Sequence, residues 1–208
     1  MIDSGRELTR AEVMQLLGEV GGILQERGLE AAIYVVGGAA MAIEYESRRI
    51  TRDVDAAIRT DRDEFWQAAR AVAERHGLNP HWINTNATAF LTNVVDHNAA
   101  EVNLPGLRMI VASPEHLIAM KLRAMRPRDL ADLDFLFRYL GLTTPEQAAE
   151  IHNRLFDDSY IGYHDPGEAL FAAQDVFRRA EASGFPIERG PRDRGTDPSH
   201  AGPGGPSA

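Results

Sequence analysis

The 208-residue chain has no cysteine. That excludes disulfides, thiol catalysis and any cysteine-ligated zinc or iron–sulfur centre. Lysine is almost missing too: Lys121 stands alone beside twenty-one arginines. No stretch approaches the roughly 18–20 uninterrupted apolar residues of a membrane span, and residues 1–7 lack the basic-then-apolar pattern of a secretion signal. Basic residues are in the minority, 22 against 31 acidic ones, for a formal charge of −9. Such a balance argues against a surface coated by nucleic acid, but leaves room for a local basic patch. The sequence holds no Gly-x4-Gly-Lys-Ser/Thr phosphate loop, no Gly-x-Gly-x-x-Gly and no Gly-x-Ser-x-Gly elbow, and its seven histidines show no zinc spacing. Hydrophobic residues make up 44%, enough for a packed core. These features predict a soluble, cytoplasmic protein with no membrane partner.

Element boundaries are well marked. Thr9 and Glu12 form a capping-box pattern ahead of Val13, Leu16, Leu17, Val20 and Leu24 at helical spacing. Residues 31–36 are short, apolar and β-branched, predicting a buried strand that stops at Gly37-Gly38. A short helix follows over 39–45, then a strand over 53–58. A helix opened by Asp61 and Glu64 comes next, with Trp66, Ala69, Val72 and Ala73 facing inward. Segments 89–95, 100–104 and 108–112 read as strands, and Ser113-Pro114, Thr144-Pro145 and Asp165-Pro166 each open a helix. Eleven of the last 25 residues are Gly or Pro, predicting a disordered tail over 184–208. The division is thus an α/β half over 1–112, an all-helical part over 113–183, and the tail.

The chemistry concentrates between Gly37 and Asp55. On a strand, residues i and i+2 share a face, so Asp53 and Asp55 project side by side while Val54, Ala56 and Ile58 point to the core. Adjacent carboxylates repel unless a cation lies between them, and hard divalent ions take oxygen ligands. Such a pair suits magnesium in phosphoryl transfer. Gly37-Gly38 after a strand lets backbone approach a phosphate closely. Arg48, Arg49 and Arg52 add positive charge to the same place. A lone Asp-x-Asp is usually a solvated strand edge, and a lone Gly-Gly a turn; the two in order, with Arg and Thr51 between them, are more specific.

Gly37-Gly38, followed by Arg49-x-Thr51-x-Asp53-Val54-Asp55, resembles the signature of the DNA-polymerase-beta-type nucleotidyltransferase superfamily. Residues 118–124, around Lys121, and Arg128-Asp129-x-x-Asp132 resemble in particular the abortive-infection type IV (AbiEii-like) and mycobacterial nucleotidyltransferase toxins. Many members carry Gly-Ser where this chain has Gly37-Gly38. The resemblance implies a nucleotidyltransferase fold: a mixed central sheet flanked by helices, with an all-helical C-terminal part completing the site. It also implies transfer of a nucleoside monophosphate from a nucleoside triphosphate to an acceptor hydroxyl. Asp53 and Asp55 would hold Mg2+, with Glu101 as a candidate third carboxylate. Lys121 would meet the triphosphate, and Asp129 or Asp132 would supply a further carboxylate or an orienting contact. Gly37, Gly38, Arg48, Arg49, Thr51 and Arg52 would line the nucleotide site with Lys121.

Three readings of function follow. The toxin branch implies tRNA as acceptor at its 3′ end and a cognate antitoxin as partner. The basic stretch Lys121, Arg123, Arg126 and Arg128 suits an RNA backbone or, equally, a solvated helix face. The same chemistry on a small acceptor, an aminoglycoside or lincosamide, suits the acidic composition. A non-catalytic partner-binding relative is the third reading, and intact Asp53, Asp55 and Lys121 argue against it.

Overall fold

The computed structural model describes residues 6–45, 50–60, 62–156 and 166–187. Helix α1 (Arg10–Glu26) starts at the Thr9/Glu12 capping box. It leads into β1 (Ala31–Val36), whose six residues are all buried. Next come a four-residue helix α2 (Gly37–Ala40), a π-helical turn (Met41–Tyr45), β2 (Val54–Ile58) and α3 (Arg62–His76). A two-residue strand β3 (Ile83–Asn84) precedes a 3-10 turn (Asn86–Phe90), then the hairpin β4 (Ala100–Leu104) and β5 (Leu107–Val111). Helices α4 (Pro114–Ala124), α5 (Leu130–Leu140), α6 (Pro145–Leu155) and α7 (Pro166–Ala182) complete the chain, with a 3-10 turn (Pro127–Asp129) between α4 and α5. Among the described residues, no helix is long and apolar enough to cross a membrane.

The sheet is mixed, in the order β3-β2-β1-β5-β4. β1 runs antiparallel to β2 and parallel to β5. That central position explains its continuous apolar sequence, because a strand covered on both faces has no solvated side. The pairing sorts the side chains into two faces. Ile33 lies opposite both Ile58 and Met109, and Val35 opposite Ala56 and Val111. This apolar face packs under α1 and α3. The other carries Tyr34, Asp55, Ile110 and Glu101, and α4 covers the end of it where Asp55 lies. One face is therefore wholly apolar, while the other sets Asp55 and Glu101 beside the buried Tyr34 and Val36.

Three expectations change. Residues 89–95 do not form a strand. The 3-10 turn ends at Phe90, and β3 takes the sheet edge instead, held to β2 by Asp55 opposite Asn84. Phe65, not Trp66, fills the core position of α3; Trp66 sits half-buried with its ring 5.5 Å from that of Phe65, edge to face. Residues 184–187 are anchored rather than loose: Ile187 is buried, and Arg138 donates hydrogen bonds to the carbonyls of Phe185 and Pro186. The rest of the expected tail, 188–208, lies outside the described residues, as do Asp61 and Asp165.

The β4–β5 turn, Pro105-Gly106, presses on α1. Gly106 has a positive φ of 67°, and a Cβ on Gly21 would stand 2.2 Å from the Pro105 carbonyl oxygen. Gly18 and Gly22 on the same helix have nothing within 4 Å of that position. We therefore expect Gly21→Ala to destabilise the fold by about 2 kcal/mol or more through overpacking. Gly18→Ala and Gly22→Ala should instead gain about 0.5–1 kcal/mol each from helix propensity, as read by urea denaturation.

Candidate functional site

One cavity of about 360 Å³ gathers Gly37, Gly38, Thr51, Arg52, Asp53, Asp55, Lys121, Asp129 and Asp132. These residues come from the β1–α2 turn, the start of β2, α4, the following 3-10 turn and α5. The volume falls in the range of small-molecule sites. Arg48 and Arg49 lie outside the described residues.

Local structure brings the carboxylates there. Val54, Ala56 and Ile58 are buried while Asp55 and Ala57 are half-exposed, so the strand's alternation turns Asp55 to the cavity. Leu8 pins the segment before it, exchanging backbone hydrogen bonds with Thr51. The Thr51 hydroxyl then donates to the carbonyl of Asp53 at 2.8 Å. Gly37 has a positive φ of 67°, and a Cβ on it would stand 2.9 Å from Asp55 Oδ2. A Cβ on Gly38 would meet Thr51 Oγ1 at 3.0 Å. Backbone conformation and the Asp55 carboxylate thus favour glycine at 37, while at 38 a side chain would require the Thr51 hydroxyl to give by a few tenths of an ångström. The same crowding bears on the serine that resembling proteins carry at the second position.

Burial and the neighbouring charge of Asp53 push the Asp55 carboxyl up to about 6. An Ala87 backbone N–H bond and the guanidinium groups of Arg126 and Arg128 oppose the rise. Asn84 steadies the other carboxylate, its side-chain amide donating to Asp53 Oδ2 at 2.8 Å. The pair is a set of hard oxygen donors whose negative charge the protein only partly offsets, and this chemistry fits a divalent cation. Among the described residues, no group of three His, Cys, Asp or Glu side chains is placed to hold a metal. An ion on Asp53 and Asp55 would therefore fill its remaining positions with water or substrate oxygens, as magnesium does at phosphate sites.

The lone lysine is the second centre. Lys121 is 6% exposed, and its Nζ donates to Asp129 Oδ1 at 2.9 Å and Asp132 Oδ2 at 2.6 Å. Two of its three N–H donors are used, leaving one for the cavity it lines. A compact ammonium serves two carboxylates on different elements, where a planar guanidinium would impose its fork geometry.

Other candidates fall elsewhere. Glu101 is exposed on β4, in a row with Ile110, Tyr34 and Ala57. Three strand spacings, about 14 Å, separate it from β2, so it does not join the carboxylate pair. Its Oε1 instead accepts from Asn103. His116 turns away into a buried cluster, its Nδ1 3.1 Å from Ser113 Oγ and 3.3 Å from Asp96 Oδ1. The basic stretch is dispersed: Lys121 is buried, Arg123 lies over Phe156, and Arg126 lies over Phe90. Sequence reasoning missed Asn84, because a two-residue strand is too short to show alternation. It also missed Phe90, which it had placed in a strand.

Two outcomes follow from this geometry. The raised Asp55 carboxyl binds its proton more tightly in the folded than in the unfolded chain, so its ionisation opposes folding above pH 6. Asp55→Asn should stabilise the metal-free protein by about 1–2 kcal/mol at pH 7, the figure discounted for partial exposure. That advantage should vanish as the pH falls from 6 toward 4, as followed by denaturant titrations across that range. Lys121→Met strands two buried carboxylates and should cost about 3–5 kcal/mol, seen as a lower denaturation midpoint. Adding Asp129→Asn and Asp132→Asn to it should recover part of the loss.

No curated protein matches the chain significantly, and no solved structure does. A family described as nucleotidyltransferases of unknown function (DUF6036) matches residues 12–136, which include the sheet, the Asp53–Asp55 pair and the Lys121–Asp129–Asp132 cluster. The chain belongs to this nucleotidyltransferase family.

Proposed function

We propose that the cavity carries out metal-dependent nucleotidyl transfer. The acceptor hydroxyl oxygen bonds to the α-phosphorus of a nucleoside triphosphate. The bond from that phosphorus to the α,β-bridging oxygen breaks, pyrophosphate leaves with the bond's electrons, and the hydroxyl proton passes to water. The observation that carries the reading is the convergence of Asp53, Asp55 and Lys121 on one cavity. Mg2+ on the two aspartates would neutralise triphosphate charge and favour the hydroxyl's ionisation. Gly37 and Gly38 let the triphosphate approach the backbone, while Thr51 and Arg52 line its path. Lys121 offers its remaining N–H to a phosphate oxygen. Asp129 and Asp132 hold that ammonium in place and so act as positioning residues.

The resemblance to the toxin branch supports the 3′ end of tRNA as acceptor, and with it an antitoxin partner. One observation favours a second acceptor class. With Lys121 buried and the Arg123 and Arg126 guanidinium groups lying over aromatic rings, little of the basic stretch remains to follow an RNA backbone. A formal charge of −9 suits a small cationic acceptor such as an aminoglycoside.

The test incubates the protein, Mg2+ and each α-labelled nucleoside triphosphate with total tRNA or with an aminoglycoside panel, beside Asp55→Ala. Label on tRNA that the variant loses supports the first acceptor, and label on the antibiotic alone supports the second. Label on neither, or label that survives in Asp55→Ala, contradicts the proposal.

A further inference from the structure

Beside the carboxylates, the cavity presents an aromatic ring with no part in phosphate chemistry. Phe90 ends the 3-10 turn and is half-buried at the cavity wall. The Arg126 guanidinium lies over its face, 4.9 Å from the ring centroid. This turn is registered onto both aspartates. Asn84 donates to Asp53 through its Nδ2 and accepts the backbone N–H of Asn86 on its Oδ1 at 2.9 Å. The Ala87 N–H meets the Asp55 carboxylate. Three residues of 3-10 helix, about 6 Å of rise, then carry the chain from Ala87 to Phe90. Ala87, which meets Asp55, and Phe90 thus belong to one turn, and both line the cavity that holds the carboxylates. Leu117, Met120 and Ala124 of α4 give the same cavity an apolar wall.

We propose that Phe90, with Arg126, is the platform on which the nucleobase of the triphosphate stacks, favouring purines over pyrimidines by stacking area. The inference rests on the nucleotidyl-transfer reading and adds the residue that recognises the base. The base enters between ring and guanidinium, and Arg126 moves outward by about one van der Waals contact, roughly 3.5 Å. Aromatic rings and guanidinium planes both stack on bases. Neutral side chains offer the base edge little to read here. Among the described residues lining the cavity, Thr51 is the one neutral hydrogen-bonding side chain, and its hydroxyl is given to Asp53.

The experiment is equilibrium binding of ATP, GTP, CTP, UTP and inorganic tripolyphosphate, each with Mg2+, to wild type, Phe90→Ala and Phe90→Trp. Wild type should bind the purine nucleotides more tightly than the pyrimidine ones. Phe90→Ala should weaken ATP and GTP by roughly tenfold or more and CTP and UTP by less, with tripolyphosphate unchanged. Phe90→Trp should retain ATP binding. ATP affinity unchanged in Phe90→Ala overturns the platform while leaving the nucleotidyl-transfer reading intact. An equal loss of tripolyphosphate also overturns it, since the residue would then only support the site. A wild type that binds no nucleotide overturns the nucleotidyl-transfer reading, and the platform with it.

Discussion

Two like charges, Asp53 just before β2 and Asp55 on it, are the constraint around which this molecule is arranged. Burial makes the ionised form of Asp55 costly, and repulsion from Asp53 adds to it, which together raise its carboxyl to about 6. Almost everything nearby answers that repulsion. Asn84 and the Ala87 N–H donate to the carboxylates, Arg126 and Arg128 supply positive potential, and Gly37 leaves room for Asp55 Oδ2. None of these removes the negative charge. A fold selected for stability alone would put neutral side chains here, and on the proposed reading a cation would resolve the conflict.

The Lys121 cluster is the complementary case. Its one ammonium and two carboxylates carry a net negative charge, yet the contacts are short and buried. Lys121 belongs to α4, Asp129 to the turn after it and Asp132 to α5, so the cluster fixes the bend between the two helices. That bend aims Arg126 and Arg128 at the cavity. Met125, in the left-handed region at φ 49°, makes the corner, a conformation that non-glycine residues adopt at some cost. The family match, ending at residue 136, takes in this whole arrangement and stops within α5.

Much of this was legible in the sequence because it rests on short-range rules. The Thr9 capping box, the Ser113-Pro114 and Thr144-Pro145 starts and the alternation of Val54, Ala56 and Ile58 each reflect physics confined to a few residues. Of the candidate site, the spacing of Asp53 and Asp55 was a local signal, while Lys121, Asp129 and Asp132 came from the family resemblance, and all five line one cavity. What escaped depends on tertiary neighbours. Residues 89–95 contain apolar and β-branched side chains, but the 3-10 turn takes up Ala89 and Phe90 and the short β3 takes the place beside β2. Glu101 alternates correctly within its own strand, and only the order β2-β1-β5-β4 reveals its distance from the pair. Asn84 and Phe90 carry no local pattern, because their significance comes from the carboxylates they adjoin.

The proposed reaction requires a cation and a triphosphate to meet between Asp53, Asp55 and Lys121. The direct measurement is anomalous diffraction from crystals grown with Mn2+, as a magnesium substitute, and a non-hydrolysable nucleoside triphosphate. The account predicts anomalous density within coordination distance of both the Asp53 and Asp55 carboxylates, with phosphate oxygens completing its shell and Lys121 still held by Asp129 and Asp132. Manganese bound away from the pair, or a nucleotide seated elsewhere while the two aspartates face only water, would contradict it.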